Sequence, residues 1–544
     1  MAAADRDDWW RGAVIYQVYP RSFQDTDGDG IGDLAGITQR LGYIAALGVD
    51  VVWISPFFKS PMKDFGYDVA DYRTVDPMFG RLEDFELLLE RAHALGLKVL
   101  VDMVLSHTSS EHAWFVESRE DRTNPRADWY VWADPKPDGT PPNNWLSIFG
   151  GMAWEWEPRR EHYYLHNFLR EQPDLNFRNP EVVRALMDEC EFWLRRGVDG
   201  FRLDALDFAV HDAELRDNPV RGPGDPISGG LRRGTPYAMQ RQRWSKTWRD
   251  MPELILQPLR ALADRYPGTT LLAELSGDES LERMGRFTSG GGLLDMAYSF
   301  DLLSCPFTAQ SIREVFRALD EHLGEGWPCW SFSNHDVVRA VTRWGGPSPD
   351  PRLAPLLPAL LTSLPGSVCL YQGEELGLTE AELAFHDLRD PVGITFWPRH
   401  KGRDGARTPM PWLKDRRNGG FSDERPWLPV PLEHLELSVD AQDADADSTL
   451  NRTRAFLRWR KAHAPLLRGD SCFLDADEPV LAFERAVAGE RLLCAFNLSD
   501  QPAELAASEP IAPLTGHGFA GRLEDDRIRL PGYEAFFGRL GRED

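Results

Sequence analysis

A chain of 544 residues is too long for one small domain and ample for a large core with appendages. With 42% hydrophobic and 27% charged residues, wholesale disorder is excluded. A formal charge of −25, from 61 basic against 86 acidic side chains, repels polyanions over most faces, so a nucleic-acid partner is not expected.

Met1 to Trp10 carries three Asp and one Arg and no apolar h-region, so no signal peptide is expected. Trp9 and Trp10 read as cover for the floor of the fold. Next comes Asp25-Thr26-Asp27-Gly28-Asp29-Gly30-Ile31-Gly32-Asp33, with carboxylates at positions 1, 3, 5 and 9 and the Ile31 carbonyl available. That is an oxygen-ligand pattern for Ca²⁺ or Mg²⁺. Position 12 is Gly36 rather than Glu, so it is not a complete EF-hand, and a solvated acidic turn is the competing reading.

Three segments then share one grammar: an amphipathic helix, a glycine, and an apolar strand with a polar end. Ile37–Leu47, Gly48 and Val49–Ser55 form the first, Leu82–Leu95, Gly96 and Leu97–Ser106 the second, and Val182–Arg196, Gly197 and Val198–Asp204 the third. A glycine past a helix permits the left-handed closing residue, and continuous Val/Ile/Leu strands between helices predict a parallel sheet covered on both faces. Further strands are expected at Ala13–Val18, Thr270–Glu274, Leu293–Ser299, Cys329–Ser333 and Ser367–Tyr371. About eight parallel strands make an α/β chain with a closed (β/α)₈ TIM barrel. A doubly wound sheet competes, but no GxGxxG follows the first strand.

Residues 108–178, too long for a simple loop, read as an inserted subdomain after strand three. The Gly/Pro-rich segment 211–235 reads as a lid or pocket wall. Leu353 to Gly373 holds no charge, but its prolines favour a buried helix and strand over a membrane span. Beyond about residue 470, Val480–Phe483, Arg491–Asn497 and Arg527–Leu530 predict a C-terminal antiparallel β-domain. The expected division is barrel 1–107 and 179–469, subdomain 108–178 and β-domain 470–544. Six cysteines are scattered without a CxxC pair, and most of them fit core positions in a reducing cytoplasm.

In such a barrel the active site lies at the carboxyl ends of the strands. Asp64, Tyr67, Asp68, His107, Arg202, Asp204, Glu274, His335 and Asp336 fall at those ends or in the loops after them. In Gly200-Phe201-Arg202-Leu203-Asp204, alternation puts Arg202 and Asp204 on one face, where the guanidinium is expected to lower the carboxyl pKa and keep a nucleophile ionised. A structural Arg–Asp pair is the plainer alternative. Glu274 ends the apolar run Leu271-Leu272-Ala273, where a raised pKa suits a proton donor. Asp336 beside His335 supplies a third acid. Two carboxyls about 5–5.5 Å apart serve retaining glycosidases. A metal hydrolase is disfavoured, because His107 and His335 are too few for its ligands.

These stretches, with Ile15-Tyr16-Gln17-Val18-Tyr19-Pro20-Arg21-Ser22-Phe23, Gly66-Tyr67-Asp68, Asp102–His107, Gln172-Pro173-Asp174-Leu175-Asn176, Asn334-His335-Asp336 and Arg407-Thr408-Pro409-Met410-Pro411-Trp412, resemble the oligo-1,6-glucosidase and α-glucosidase branch of the α-amylase superfamily, glycoside hydrolase family 13. The resemblance runs in order from residue 9 to about 430. It implies Asp204 as nucleophile, Glu274 as acid/base and Asp336 as transition-state stabiliser. It places Asp64, Tyr67, His107, Phe168, Arg202, His335 and Arg403 around the glucose, with Arg407 competing for the role of Arg403. Phe149 is a further expected substrate contact. In this branch the position after the nucleophile tends to be Val in α-1,6-selective enzymes and smaller in α-1,4-selective ones; here it is Ala205. The resemblance also implies a structural cation on Asp25, Asp27, Asp29, Ile31 and Asp33, far from catalysis.

The expected activity is hydrolysis of maltose-like α-glucosides, with transfer to alcohol or sugar hydroxyls. The partners expected are small substrates and acceptors, with no membrane, in a cytoplasmic monomer or homodimer. A glucosyl-rearranging enzyme of the trehalose synthase or sucrose isomerase type uses the same acids and is the alternative. A non-catalytic transporter subunit is the remote one, since all three carboxylates are present and no anchor is visible.

Overall fold

The computed structural model describes residues 8–223, 225, 235–290 and 292–541. Parallel strands β1 (Val14–Val18), β2 (Val51–Ile54), β3 (Lys98–Val104), β4 (Gly200–Asp204), β5 (Thr270–Leu275), β6 (Met296–Ser299), β7 (Pro328–Ser331) and β8 (Ser367–Tyr371) close into a barrel in sequence order. Val14 opposite Val368 and Ile15 opposite Val51 hold β1 between β8 and β2. The alternation of each strand divides its residues between two cores. Val14, Tyr16, Phe201, Leu203, Leu271 and Ala273 face the helices. Ile15, Val51, Trp53, Leu100, Leu272, Met296 and Tyr298 fill the barrel, with Trp10 and Trp9 packed at the same cluster.

Helices α1 (Leu34–Leu47), α2 (Leu82–Ala94) and α3 (Pro180–Leu194) cover the strands as the spacing predicts. Gly48 and Gly197 close α1 and α3 at φ 90° and 91°, where a side chain would be strained. Strand β6 starts at Met296 rather than Leu293, because the Leu293 and Leu294 amides bond to the Phe287 carbonyl and finish the preceding helix. The uncharged run from Leu353 divides into a helix (Leu353–Ser363) and β8. No helix among the described residues is long and apolar enough to cross a membrane.

Between β3 and α3 the chain builds its own antiparallel sheet from Trp132–Ala133, His162–Leu165 and Trp154–Glu157, packed on Trp145. At the other end, Asp470–Phe473, Val480–Val487, Glu490–Asn497, Ala535–Leu540 and Ile511–Pro513 form an antiparallel sheet, faced by a smaller one of Ala503–Ala506, Arg527–Leu530 and Arg522–Glu524. In the segment expected to form a lid, 224 and 226–234 lie outside the described residues. Its near flank is tied to the inserted subdomain by reciprocal bonds between Asn144 and Asn218 (2.8 and 2.9 Å).

Candidate active site

Arg202 and Asp204 point into the barrel while Phe201 and Leu203 face the helices, as alternation requires. Arg202 Nη1 donates to Asp204 Oδ1 (2.5 Å) and Asp102 Oδ1 (2.8 Å). Its Nη2 reaches Glu274 Oε2 and Tyr298 Oη, both at 2.7 Å. Two nitrogens of one guanidinium thus hold the carboxyls of β4 and β5 on one cavity. Glu274 is aimed further by the Ala205 amide (3.2 Å) and Tyr298 Oη (3.1 Å).

Asp336 is held by a second set of groups. Arg407 Nη2 (2.9 Å) and Arg403 Nη1 (3.2 Å) donate to its Oδ1, and His335 Nε2 lies 3.4 Å from Oδ2. Gln17 Nε2 donates to His335 Nδ1 (2.7 Å), leaving the ring proton on Nε2, 2.6 Å from Tyr67 Oη. Arg403 also pairs with Asp64 (2.8 Å) and Asp390 (2.8 Å), and Gln172 Nε2 links Asp64 (3.2 Å) to His107 (3.1 Å).

These groups surround a cavity of about 780 Å³. Asp64, Tyr67, His107, Phe149, Phe168, Asp204, Ala205, Glu274, Asp336 and Arg403 line it. Arg202, His335 and Arg407 lie buried behind that wall, and Asp68 ties down the Ser60–Asp64 turn instead. Of the two competing arginines, Arg403 faces the cavity and Arg407 braces Asp336 and the His335 carbonyl. None of the described residues of 211–235 lines it.

The model of the alpha amylase catalytic domain matches residues 17–469 of the chain. The chain belongs to the α-amylase family. A probable alpha-glucosidase of Rhizobium meliloti (strain 1021) is 53% identical over 538 residues, covering 98% of this chain and 97% of its own length. An oligo-1,6-glucosidase of Heyndrickxia coagulans is 36% identical, covering 91% and 92%. The crystal structure of an alpha-glucosyl transfer enzyme, XgtA, is 56% identical with a TM-score of 0.96, covering 98% of this chain and 99% of that one. This α-amylase-family chain therefore sits in the α-glucosidase and oligo-1,6-glucosidase branch.

The electrostatics of this family member correct one expectation. Burial pushes the Asp204 carboxyl up to about 7, and Arg202 pulls it back only in part, so its pKa is not lowered. Burial lifts Glu274 further, to about 8, again against Arg202 and helped by the charge of Asp204. The order needed by a nucleophile and a proton donor survives, with the donor the weaker acid. Burial would raise Asp336 too, but His335, Arg403 and Arg407 together hold it below the usual carboxylate range. Burial lowers His107 to about 4 and His335 to about 3, so both rings are neutral near pH 7.

Near the start of the chain, Asp25, Asp27 and Asp29 bring ligand oxygens within 4.8 Å of one another. Asp33 does not join that group. Its oxygens accept from the Thr26 amide (2.8 Å) and the Gly36 amide (2.6 Å), making it the N-cap that starts α1 earlier than expected. The Ile31 amide donates to Asp29 Oδ1 (2.7 Å).

Sequence reading missed several residues of the site. Asp102 was visible at the polar end of β3 in Asp102–His107; it accepts from Trp53 (3.1 Å), Tyr67 (3.1 Å) and Arg202. Tyr298 lay inside the expected strand Leu293–Ser299 without being singled out. Gln17 was named only as part of the stretch Ile15–Phe23, and Asp390 carried no local signal.

Proposed function

We propose that the chain is a retaining α-glucosidase acting on the non-reducing α-glucosyl bond of short substrates, with glucosyl transfer to sugar or alcohol hydroxyls. One observation carries it: a single guanidinium holds two carboxyls of unequal acidity on one cavity, which a third, ionised carboxylate also lines. Asp204 attacks the anomeric carbon as the glycosidic C–O bond breaks, and Glu274 gives its proton to the departing oxygen. The resulting β-glucosyl ester on Asp204 is then attacked by water or another hydroxyl, whose proton returns to Glu274. Asp336 favours the positive charge that develops on the ring. Asp64, Tyr67, His107, Phe168 and Arg403 serve as the glucose contacts, with Arg202, His335 and Arg407 fixing the carboxylates behind them.

Ala205, small and beside the nucleophile, supports α-1,4 preference; faster cleavage of isomaltose than of maltose would refute it. Equal rates on maltose and maltohexaose would refute the short-substrate preference. Phe300, Leu303, Val337 and Val338 give the outer cavity an apolar side that fits alcohol acceptors. A Ca²⁺ or Mg²⁺ ion suits Asp25, Asp27, Asp29 and the Ile31 carbonyl, because burial and the neighbouring carboxylates already raise the Asp29 carboxyl. Its part is structural. Free thiols at all six cysteines support a cytoplasmic setting, as a monomer or homodimer. The deciding experiment is Asp204→Asn assayed on p-nitrophenyl α-glucoside. A loss of about a thousandfold or more is expected, and activity within about tenfold of the parent overturns the nucleophile. Isomeric disaccharide rather than glucose from sucrose would favour the rearranging alternative.

A further inference from the structure

Immediately beyond Asp204 the chain turns through Ala205, at φ 42° and ψ 38°, into the short helical turn Leu206–Phe208. A non-glycine residue in the left-handed region needs surroundings that hold it there. Two residues further on stands Asp207. Its Oδ2 accepts from the Ser276 amide (3.1 Å) and Ser276 Oγ (3.3 Å), fastening the loop after β4 to the loop after β5. Lys246 Nζ closes the triangle at 3.2 Å from Asp207 Oδ2 and 3.1 Å from Ser276 Oγ. Arg283 Nη2 approaches the same carboxylate oxygen (3.5 Å) and donates to the Ser276 carbonyl.

Asp207, Lys246 and Arg283 are all buried, and the Lys246 ammonium lies 3.3 Å from the ring centre of Phe208, which lines the catalytic cavity with Ser276. Buried ion clusters add little stability over apolar packing, so their reason for being is sought in what they hold in place. This one joins the two chain segments that leave Asp204 and Glu274. The turn that it fastens begins at Ala205, whose amide bonds to Glu274 Oε2.

We propose that Asp207, Lys246 and Ser276 form a staple that sets the gap between nucleophile and proton donor, making them positioning residues for proton transfer by Glu274. The inference rests on the acid/base reading of Glu274. Without the staple, the turn at Ala205 relaxes, its amide leaves Glu274, and the carboxyl no longer meets the leaving oxygen. Displacements near 1 Å in such geometry cost about a hundredfold.

The test compares kcat/KM for maltose, whose leaving sugar needs a proton, with that for α-glucosyl fluoride, whose fluoride leaves without one. Glu274→Gln is the reference: it should lose maltose cleavage while keeping far more of the fluoride reaction. Lys246→Met and Asp207→Asn should show the same signature in weaker form, about tenfold down on maltose and under about threefold on the fluoride. Lys246→Arg should restore most of the loss. Equal losses on both substrates, or no loss on either in a variant with the parental melting curve, overturn the staple. Should Lys246→Met or Asp207→Asn not fold, Ser276→Ala keeps both charges and is read in the same two assays. A Glu274→Gln enzyme that fails to distinguish the substrates overturns the acid/base reading itself, and the staple with it.

Discussion

Asp102, Asp204 and Glu274 share the guanidinium of Arg202, and one buried cation cannot balance three buried anions. Protons must therefore be retained near neutrality, and burial decides where: Glu274 at about 8 keeps its proton longer than Asp204 at about 7. Activity requires Asp204 ionised, so it falls as pH drops through the lower value. It also requires Glu274 protonated, so it falls as pH rises through the upper one. Log kcat/KM against pH should be a narrow bell with limbs near those values, each belonging to the coupled set. In Glu274→Gln, assayed on the fluoride, the alkaline limb should vanish; its persistence would assign that limb elsewhere. The sign of the Arg202 effect was legible in the sequence, but not its size. Alternation along Gly200–Asp204 shows that two groups share a face, while the depth of burial depends on seven other strands. Asp390 and Lys246 were unreadable for a related reason: each reaches the site from a loop outside the barrel strands.

Among the elements, β4 bears the most responsibility, since Arg202 and Asp204 both ride on it. It runs between Leu100 of β3 and Thr270 of β5 at Gly200, where a Cβ would lie 2.0 Å from the Thr270 carbonyl oxygen. Gly200→Ala should push β4 from β5, lowering stability by about 1–3 kcal/mol in denaturant titration and reducing kcat with it. Gly42, inside α1, is the control, because a methyl group there would meet nothing within 4 Å. Gly42→Ala should be neutral or stabilising by up to about 1 kcal/mol. Equal effects at both glycines would contradict the close-approach argument. The helix–glycine–strand units were legible because period and punctuation agree. Asp33 reads as a cation ligand in the sequence because a carboxylate can cap a helix or bind a metal, and spacing alone does not choose. In the C-terminal sheets, Ala535–Leu540 escaped notice because Gly538 breaks its apolar run.

At the scale of the whole molecule, the catalytic barrel, the inserted sheet and the C-terminal sheets are built around a chain of net charge −25, and the acidic loop at 25–33 concentrates part of that charge. A bound divalent cation stabilises only the folded chain. Chelation should therefore lower Tm, Ca²⁺ should restore it, and kcat at 25 °C should stay unchanged; an unaltered Tm would leave the loop without a cation. The proposed catalysis consists of two successive displacements at one sugar carbon, through an ester on Asp204. Proton NMR of p-nitrophenyl α-glucoside during the first minutes of hydrolysis reads this directly. The α-anomer of glucose should appear first and mutarotate later, whereas initial release of the β-anomer would contradict the double displacement.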